Sequence, residues 1–340
     1  MADCPDITIV VPAYNQGPFI ERTLQSLLTQ QIKPAEIVVS NNHSTDETIE
    51  ILERYRSRVR LISPPKFIPA GEHGDFLVSH VRTTWCALLS SDDVAETNYV
   101  AAFADSIAQY PSAALVHGGV LYIDKDERTA VPRYALKARE RASFPLNLIE
   151  QLGAPVVNFA GFAFRVDAFR RTSGFSPWLG MGDWPVFLQL APHGDFIYRR
   201  EILARYRCTY RPTLNLDRYV AFLHDEYEIA TQLIPDLLKK HGQEHLATLH
   251  KKRSRERYYR RLAEFYSYGN EVDRSASLMK LTMWAKYLGE SIPTDTEYPP
   301  WSLRVRTKVE FCRYHAKRVA RSLYGQIKYL SASKRSNGPT

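Results

Sequence analysis

Apolar and polar positions divide the chain into two kinds of sequence. Residues 7 to 13, "ITIVVPA", are nearly continuous β-branched apolar residues, the pattern of a parallel strand covered on both faces. Pro18 then opens a helix whose apolar positions Ile20, Leu24, Leu27 and Leu28 keep one face. "EIVVSNN" (36–42) reads as a second buried strand. "STDE" follows it, with Ser44 and Glu47 at capping-box spacing before a helix continued by Ile49 and Leu52. "VRLISPP" (59–65) is a third strand, 72–83 a helix and "WCALLSS" (85–91) a fourth strand. Strand and helix alternating through short connections predict an open α/β sheet with right-handed crossovers.

Further on, 112–124 reads as a long strand or strand pair, and 155–169 as a strand with a short helix. Residues 174–194 read as a loop with an amphipathic helix from about Asp183, and 195–211 as a strand. After about Asp217 the character changes to three helical segments. "EYPPW" (297–301) breaks the chain before a last helix, whose apolar seam runs from Val305 to Leu330. Residues 1–215 are thus expected to form the α/β domain and 216–340 a helical region. The last ten residues, "SASKRSNGPT", have the composition of a disordered tail.

Charge sharpens that division. The net charge is +8, yet from Lys251 onward 20 Lys and Arg face 8 Asp and Glu, leaving the preceding 250 residues slightly acidic. "KKRSRERYYRR" (251–261) interleaves seven cations with Tyr258 and Tyr259. Basic helices with an apolar stripe suit an anionic bilayer surface. They equally suit a helix packed on the catalytic domain with a solvated basic face. A nucleic-acid role is disfavoured, because no nucleic-acid module surrounds the cations. Four scattered cysteines without a C-x-x-C pair suggest neither a zinc site nor a disulfide framework. The N-terminus lacks a basic leader and no run reaches the ~18 apolar residues of a span. The expected place is the cytoplasm, on the inner face of the membrane.

Candidate chemistry lies where the strands end. In open α/β sheets ligands collect at the carboxyl ends of the strands. "Tyr14-Asn15-Gln16", "Asn41-Asn42-His43" and "Ser91-Asp92-Asp93" all fall there. Adjacent carboxylates at a strand end suit a hard divalent cation such as Mg²⁺ or Mn²⁺. They also suit an N-cap before the helix near 97–109. His73, His80 and His117 lack ligand spacing and read as surface or loop residues. Trp178 and Trp184, flanking Asp183, read equally as a sugar-stacking wall or as core. Arg205 and Arg207 read either as diphosphate contacts or as solvated strand positions.

The blocks "VVPAYNQGPFIERTLQSLLTQ", "EIVVSNNHSTDETIEIL", "LLSSDDVAETNYV" and "GFSPWLGMGDWPVFLQLAPHGDFIYRREILARYR" resemble, in order and spacing, the nucleotide-sugar domain of family 2 glycosyltransferases with the GT-A fold. The resemblance covers roughly residues 6–210. It implies an inverting transferase that takes a UDP-sugar or other nucleotide-diphosphate sugar as donor. The acceptor would be a glycan or lipid-linked glycan, as in O-antigen or capsule synthesis.

Carried over by residue, Pro12, Ala13 and Tyr14 line the nucleoside. Asn41 stands where the family has a base-pairing Asp, and Asn42 and Asp46 complete that block. Ser90, Ser91 and Asp92 overlay the D-x-D triplet. Asp92, with Asp93 beside it, is then the metal ligand, and Asp183 the catalytic base. Three positions depart from the family: Asn41, Ser90, and Cys208–Thr209 where an additional His ligand is common. Those departures keep open a degenerate sugar-nucleotide-binding or scaffold protein. A nucleotidyltransferase on a similar sheet is a further alternative, but "AYNQGPFIE" lacks its Gly-rich phosphate loop.

Overall fold

The computed structural model describes residues 6–128, 130–136, 138–180, 182–208, 216–267 and 274–290. The last predicted helix, the tail after 330 and Thr209 lie outside these residues. Within them the chain forms two compact units, neither of them one continuous stretch. The first comprises Met1–Leu148, Val156–Pro177 and Gln189–Thr209; the second comprises Ile149–Pro155, Trp178–Leu188 and the chain from Tyr210 onward. A single boundary near 215 therefore does not describe the fold, because two earlier segments belong with the later helices.

Among the described residues of the first unit, ten strands form one sheet, in the order β3-β2-β1-β4-β9-β6-β10-β5, with β7 paired to β6 and β8 to β10. β1 (Ile7–Ala13), β2 (Glu36–Asn41), β3 (Arg60–Ile62) and β4 (Trp85–Leu88) are mutually parallel. β1 is buried almost throughout, as its β-branched run predicts. β9 (Phe162–Arg165) enters antiparallel between β4 and β6 (Ala113–Ile123), and β6 runs parallel to β10 (Asp195–Arg207). β5 (Val94–Ala95), β7 (Ala130–Arg133) and β8 (Arg141–Ala142) are short antiparallel additions.

Helices α1 (Gly17–Leu28), α2 (Thr48–Arg54), α3 (Ala70–Ser79) and α4 (Tyr99–Gln109) connect the strands. Ile20, Leu24 and Leu27 of α1 are fully buried in one core with Ile9, Val11, Val39 and Phe103, as the periodicity predicts. The order reverses at β1: β2 and β3 lie to one side and β4 to the other. Such a reversal opens a crevice at the strand ends and is the usual place for a ligand in an open α/β sheet.

The Ser44–Glu47 capping box does not form. Glu47 is the residue before α2 and makes no side-chain cap. The Ser44 hydroxyl is taken by Asn15, whose backbone N–H donates to it at 3.0 Å. Two of the three histidines also differ from expectation. His73, on α3, is buried with Nε2 2.7 Å from the Ser40 hydroxyl, and burial pushes its imidazole down to about 4. His117 is buried in β6, where burial pushes it down to about 3. Only His80, the half-buried cap of α3, is near the surface.

The second unit is helical: α8 (Leu216–Glu228), a π-helical turn over Ile229–Leu233, α9 (Ile234–Lys240), α10 (Ala247–Ser267) and α11 (Arg274–Leu288). α5 (Leu146–Gln151) and α7 (Asp183–Leu190) lead into it from the earlier chain, whereas the short α6 (Val166–Phe169) belongs to the first unit. Its core joins Tyr219, Leu223, Tyr258, Leu262, Phe265, Leu281 and Trp284. The basic run 251–261 is thereby partly internal. Tyr258 and Tyr259 are core residues, and Arg257 and Arg261 both pair with the fully buried Glu226. The periodicity of α10 is therefore that of a packed helix, with outer cations such as Lys251 and Lys252 exposed.

Candidate active site

Three loops meet at the reversal point. Ala13 ends β1, and its carbonyl accepts the Asn42 N–H at 2.9 Å. Asn42 is buried and turns its side chain to the chain after β3: Nδ2 donates to Ile68 O at 2.7 Å and Oδ1 accepts from Ile68 N at 3.1 Å. Asn41 Oδ1 accepts the Ser44 N–H at 3.0 Å, closing the loop after β2. Asp would make the same bond, so Asn41 preserves the loop while changing the charge at its rim. Asp46 accepts from Gly17 N at 3.0 Å and Thr48 N at 3.1 Å. Partial burial would raise its carboxyl, but hydrogen bonds from Thr48 and Gly17 outweigh that and hold it below the usual range. Asn42 and Asp46 thus brace the loops from behind.

Asn15 and His43 take the left-handed conformation at φ 51° and 60°. Asn and His tolerate that region better than most side chains. Asn15 also accepts the Thr45 N–H on Oδ1 at 2.8 Å, tying the β1 loop to the β2 loop. Tyr14 remains exposed at 45%, with Phe67, 53% exposed, beside it at a ring-centroid distance of 5.0 Å. Large aromatic rings left open at a loop rim are surfaces for a planar group. Pro12 is half-buried at the end of the same strand.

After β4 the chain turns at Ser90, whose carbonyl accepts the Asp93 N–H at 3.1 Å. The Thr23 hydroxyl of α1 sits 3.0 Å from Ser91 O and 2.7 Å from Asp93 O. The two aspartates then separate in environment. Asp92 is half-buried at the turn. Asp93 is 0% exposed, and its Oδ1 accepts the Arg207 N–H at 2.8 Å. Burial first, and the neighbouring Asp92 charge second, push the Asp93 carboxyl well above the usual range. They are therefore not a matched pair of open ligands: Asp93 faces the protein, and Asp92 is the carboxylate left at the mouth.

Arg207 holds this turn in place. Its Nε donates to Asp92 O at 2.8 Å, its Nη1 to Lys125 O at 2.7 Å and its Nη2 to Glu127 Oε1 at 2.6 Å, with its side chain 3% exposed. Arg205 pairs with Glu96 at 2.8 Å and Glu127 at 3.5 Å. Arg207 is engaged inside the protein, whereas Arg205 is ion-paired and half-buried.

Among the described residues no group of three His, Cys, Asp or Glu side chains is placed to hold a metal by itself. Mg²⁺ commonly uses one or two carboxylates and takes the rest of its shell from phosphates and water. Asp92 therefore fits a metal held jointly with a diphosphate.

In the second unit Asp183 begins α7, half-buried, and burial pushes its carboxyl up. Trp184 is 2% exposed, its indole N–H donates to Gln151 O at 3.1 Å, and the Arg257 guanidinium lies 5.2 Å over its ring. Trp184 is thus a packing residue and not a sugar wall. Trp178 is half-buried.

Residues 8–172 match the family model for glycosyl transferase family 2. This part of the chain belongs to glycosyl transferase family 2. Among curated relatives of the family 2 domain, the chondroitin synthase of Escherichia coli is 27% identical over 202 residues, 58% of this chain and 28% of that protein. The succinoglycan biosynthesis protein ExoO of Rhizobium meliloti is 36% identical over 90 residues, 26% of each chain. The chain thus spans about a quarter of the length of either relative. Among solved structures, S. aureus TarS 1–349 in complex with UDP-GlcNAc aligns with a TM-score of 0.53 at 14% identity, covering 83% of this chain and 88% of that one. The mannosyltransferase PcManGT from Pyrobaculum calidifontis, in complex with GDP-Man and Mn²⁺, aligns with a TM-score of 0.53 at 15% identity, covering 97% and 88%. Both place the chain in the GT-A fold.

Proposed function

We propose that this protein transfers a sugar from a nucleotide-diphosphate sugar to a hydroxyl of a glycan acceptor, with inversion, in the synthesis of a cell-surface polysaccharide. The observation that carries the reading is the meeting of three polar loops at the β1/β4 reversal of a family 2 domain, with Asp92 as the carboxylate at its mouth.

In this reading Tyr14, Pro12 and Ala13 border the nucleoside and Asn41 offers its amide to the base. Asp92 would hold a divalent metal, Mn²⁺ or Mg²⁺, which when bound would supply stabilisation of the charge developing on the leaving group. Asp183 takes the proton of the acceptor hydroxyl as that oxygen attacks the anomeric carbon. The sugar–phosphate bond breaks with its electron pair on the nucleoside diphosphate, and a single displacement inverts the centre. A carboxyl raised by burial is a stronger base than an ordinary one, which suits the role. Family 2 relatives that act in chondroitin and succinoglycan synthesis support the polysaccharide assignment.

The test is a panel of UDP-, GDP- and dTDP-sugars screened by thermal shift with Mn²⁺ and Mg²⁺, followed by transfer assays on the donor that binds. One donor should stabilise the protein by mass action and be consumed with release of its nucleoside diphosphate. Donor binding without transfer to any glycan acceptor would favour the degenerate binding protein. Among the described residues no helix is long and apolar enough to cross a membrane. Contact with an anionic inner-membrane surface is proposed through the exposed cations of the later chain. It is tested by salt-dependent binding to anionic vesicles, with and without residues 302–340; equal binding by both chains would remove that segment from the role.

A further inference from the structure

The loop that delivers Asp183 is held by the helix that opens the later half of the chain. Asp225, on α8, is 1% exposed. Its Oδ1 accepts the Leu179 N–H at 3.2 Å and its Oδ2 accepts the Gly180 N–H at 2.7 Å. His224 Nδ1 stands 3.6 Å from the same Oδ1. One carboxylate thus fixes two consecutive amides of "WLGMGD", three residues before Asp183. Gly180 shows how tightly: a Cβ there would lie 2.4 Å from the Phe222 ring, one turn before Asp225 on α8. On the other side of Asp183, Trp184 is held by its bond to Gln151 O and by the Arg257 guanidinium. Arg257 is in turn paired to Glu226, the neighbour of Asp225. Two adjacent acids on α8 therefore constrain the residues before and after Asp183.

A buried carboxylate with two backbone N–H donors is a strong, charge-assisted attachment. A general base needs its carboxyl held within hydrogen-bond reach of the proton it removes, and small misplacements cost large factors in rate.

We infer that Asp225 is a positioning residue for transfer, acting through Asp183 by fixing the Leu179–Gly180 backbone, and that α8 is part of the catalytic machinery. The inference rests on the reading of Asp183 as the base.

The experiment compares Asp183→Asn, Asp225→Ala, Asp225→Asn and the Asp183→Asn/Asp225→Ala double variant in the full chain. It reads kcat, donor KM and melting temperature. Asp225→Ala should lower kcat about 10-fold to 100-fold with donor KM within about twofold, the scale expected when a general base is mispositioned. Asp225→Asn, which keeps an acceptor oxygen and the side-chain size, should recover part of that loss. The double variant should be no slower than Asp183→Asn alone, because the two residues act as one unit. If Asp225→Ala is too unstable to assay, Gly180→Ala perturbs the same contact from the loop side and should show the same kcat loss at constant donor KM. Unchanged kcat in a folded Asp225 or Gly180 variant overturns the inference while leaving the base intact. Multiplying losses in the double variant also overturn it. Full transfer by Asp183→Asn removes the base reading itself, a distinct outcome.

Discussion

Arg207 holds Asp93 by its main chain and the preceding residue, Asp92, by its side chain. The Arg207 backbone N–H donates to Asp93 Oδ1 at 2.8 Å, and the Arg207 side chain reaches around to the carbonyl of Asp92 at 2.8 Å. The end of β10 therefore grips the turn after β4 by main chain and side chain together. The Arg207 fork is completed by Glu127 and the carbonyls of Asp124 and Lys125.

Removing that fork should unsettle the turn. Arg207→Ala leaves the carbonyls of Asp92, Asp124 and Lys125 without this donor and Glu127 with only its weaker arginine partners, and should destabilise the fold by about 3 kcal/mol, the scale of a broken buried ion pair. Arg207→Lys should recover little, since an ammonium cannot reproduce the planar fork. Urea denaturation reads the stability loss, and calorimetry of UDP with Mn²⁺ should show nucleotide affinity falling in the folded variant. A folded Arg207→Ala protein with wild-type nucleotide affinity would show that Arg207 supports the fold alone.

Asp92 is the opposite case. It is half-buried, so Asp92→Asn should leave the melting temperature within a degree or two. Metal-dependent donor affinity should fall about tenfold or more, at least the loss typical of disturbing a metal's outer shell. Full wild-type activity in chelator, or an Asp92→Asn enzyme with normal affinity, would exclude Asp92 as the ligand.

For Asp183 the informative substitution is again Asn. It caps a helix as well as Asp does, so stability should hold, while transfer should fall about 10²-fold or more through loss of the proton acceptor. A loss of only a few-fold would move the base elsewhere.

Glu226 tests the second unit. Burial would raise its carboxyl, yet Arg257 and Arg261 hold it down to about 2. A lowered folded value means this contribution is fully present above the ordinary carboxylate value of 4.5 and is lost as pH falls toward about 2. Glu226→Gln should cost about 3 kcal/mol at neutral pH by leaving the buried Arg257 guanidinium without its carboxylate, while Arg261 keeps Glu264. Its stability should then fall less steeply than the wild type's between about pH 5 and 3. Parallel curves for the two proteins would place the acid sensitivity in other carboxylates.

Much of the first unit was legible in the chain because its signals are local. The β-branched run of β1 and the spacing of Ile20, Leu24 and Leu27 each need one segment to be read. The strand-end clusters could be placed because open α/β sheets put ligands at those ends. What could not be read depends on distant partners. Ser44 has the right spacing to cap α2, yet Asn15 takes its hydroxyl. Asp92 and Asp93 are adjacent in sequence, and only Arg207, over a hundred residues later, sets their environments apart. "KKRSRERYYRR" looks like an open basic surface until Glu226, from another helix, pairs with two of its arginines. Asp225 carried no sequence signal, since a single Asp within a helical pattern is unremarkable until its two amide partners are known.

The path of the chain between its two units bears on how such enzymes can be rebuilt. The backbone changes unit after residues 148, 155, 177, 188 and 209. No single junction separates the two units. A chimera spliced at 215 would inherit Asp183 from one parent and the helix bearing Asp225 from the other. Recombination that preserves function must carry Ile149–Pro155, Trp178–Leu188 and the later helices as one graft in three pieces. Specificity in this architecture is therefore expected to be inherited in blocks that are scattered along the gene and contiguous only in the folded protein.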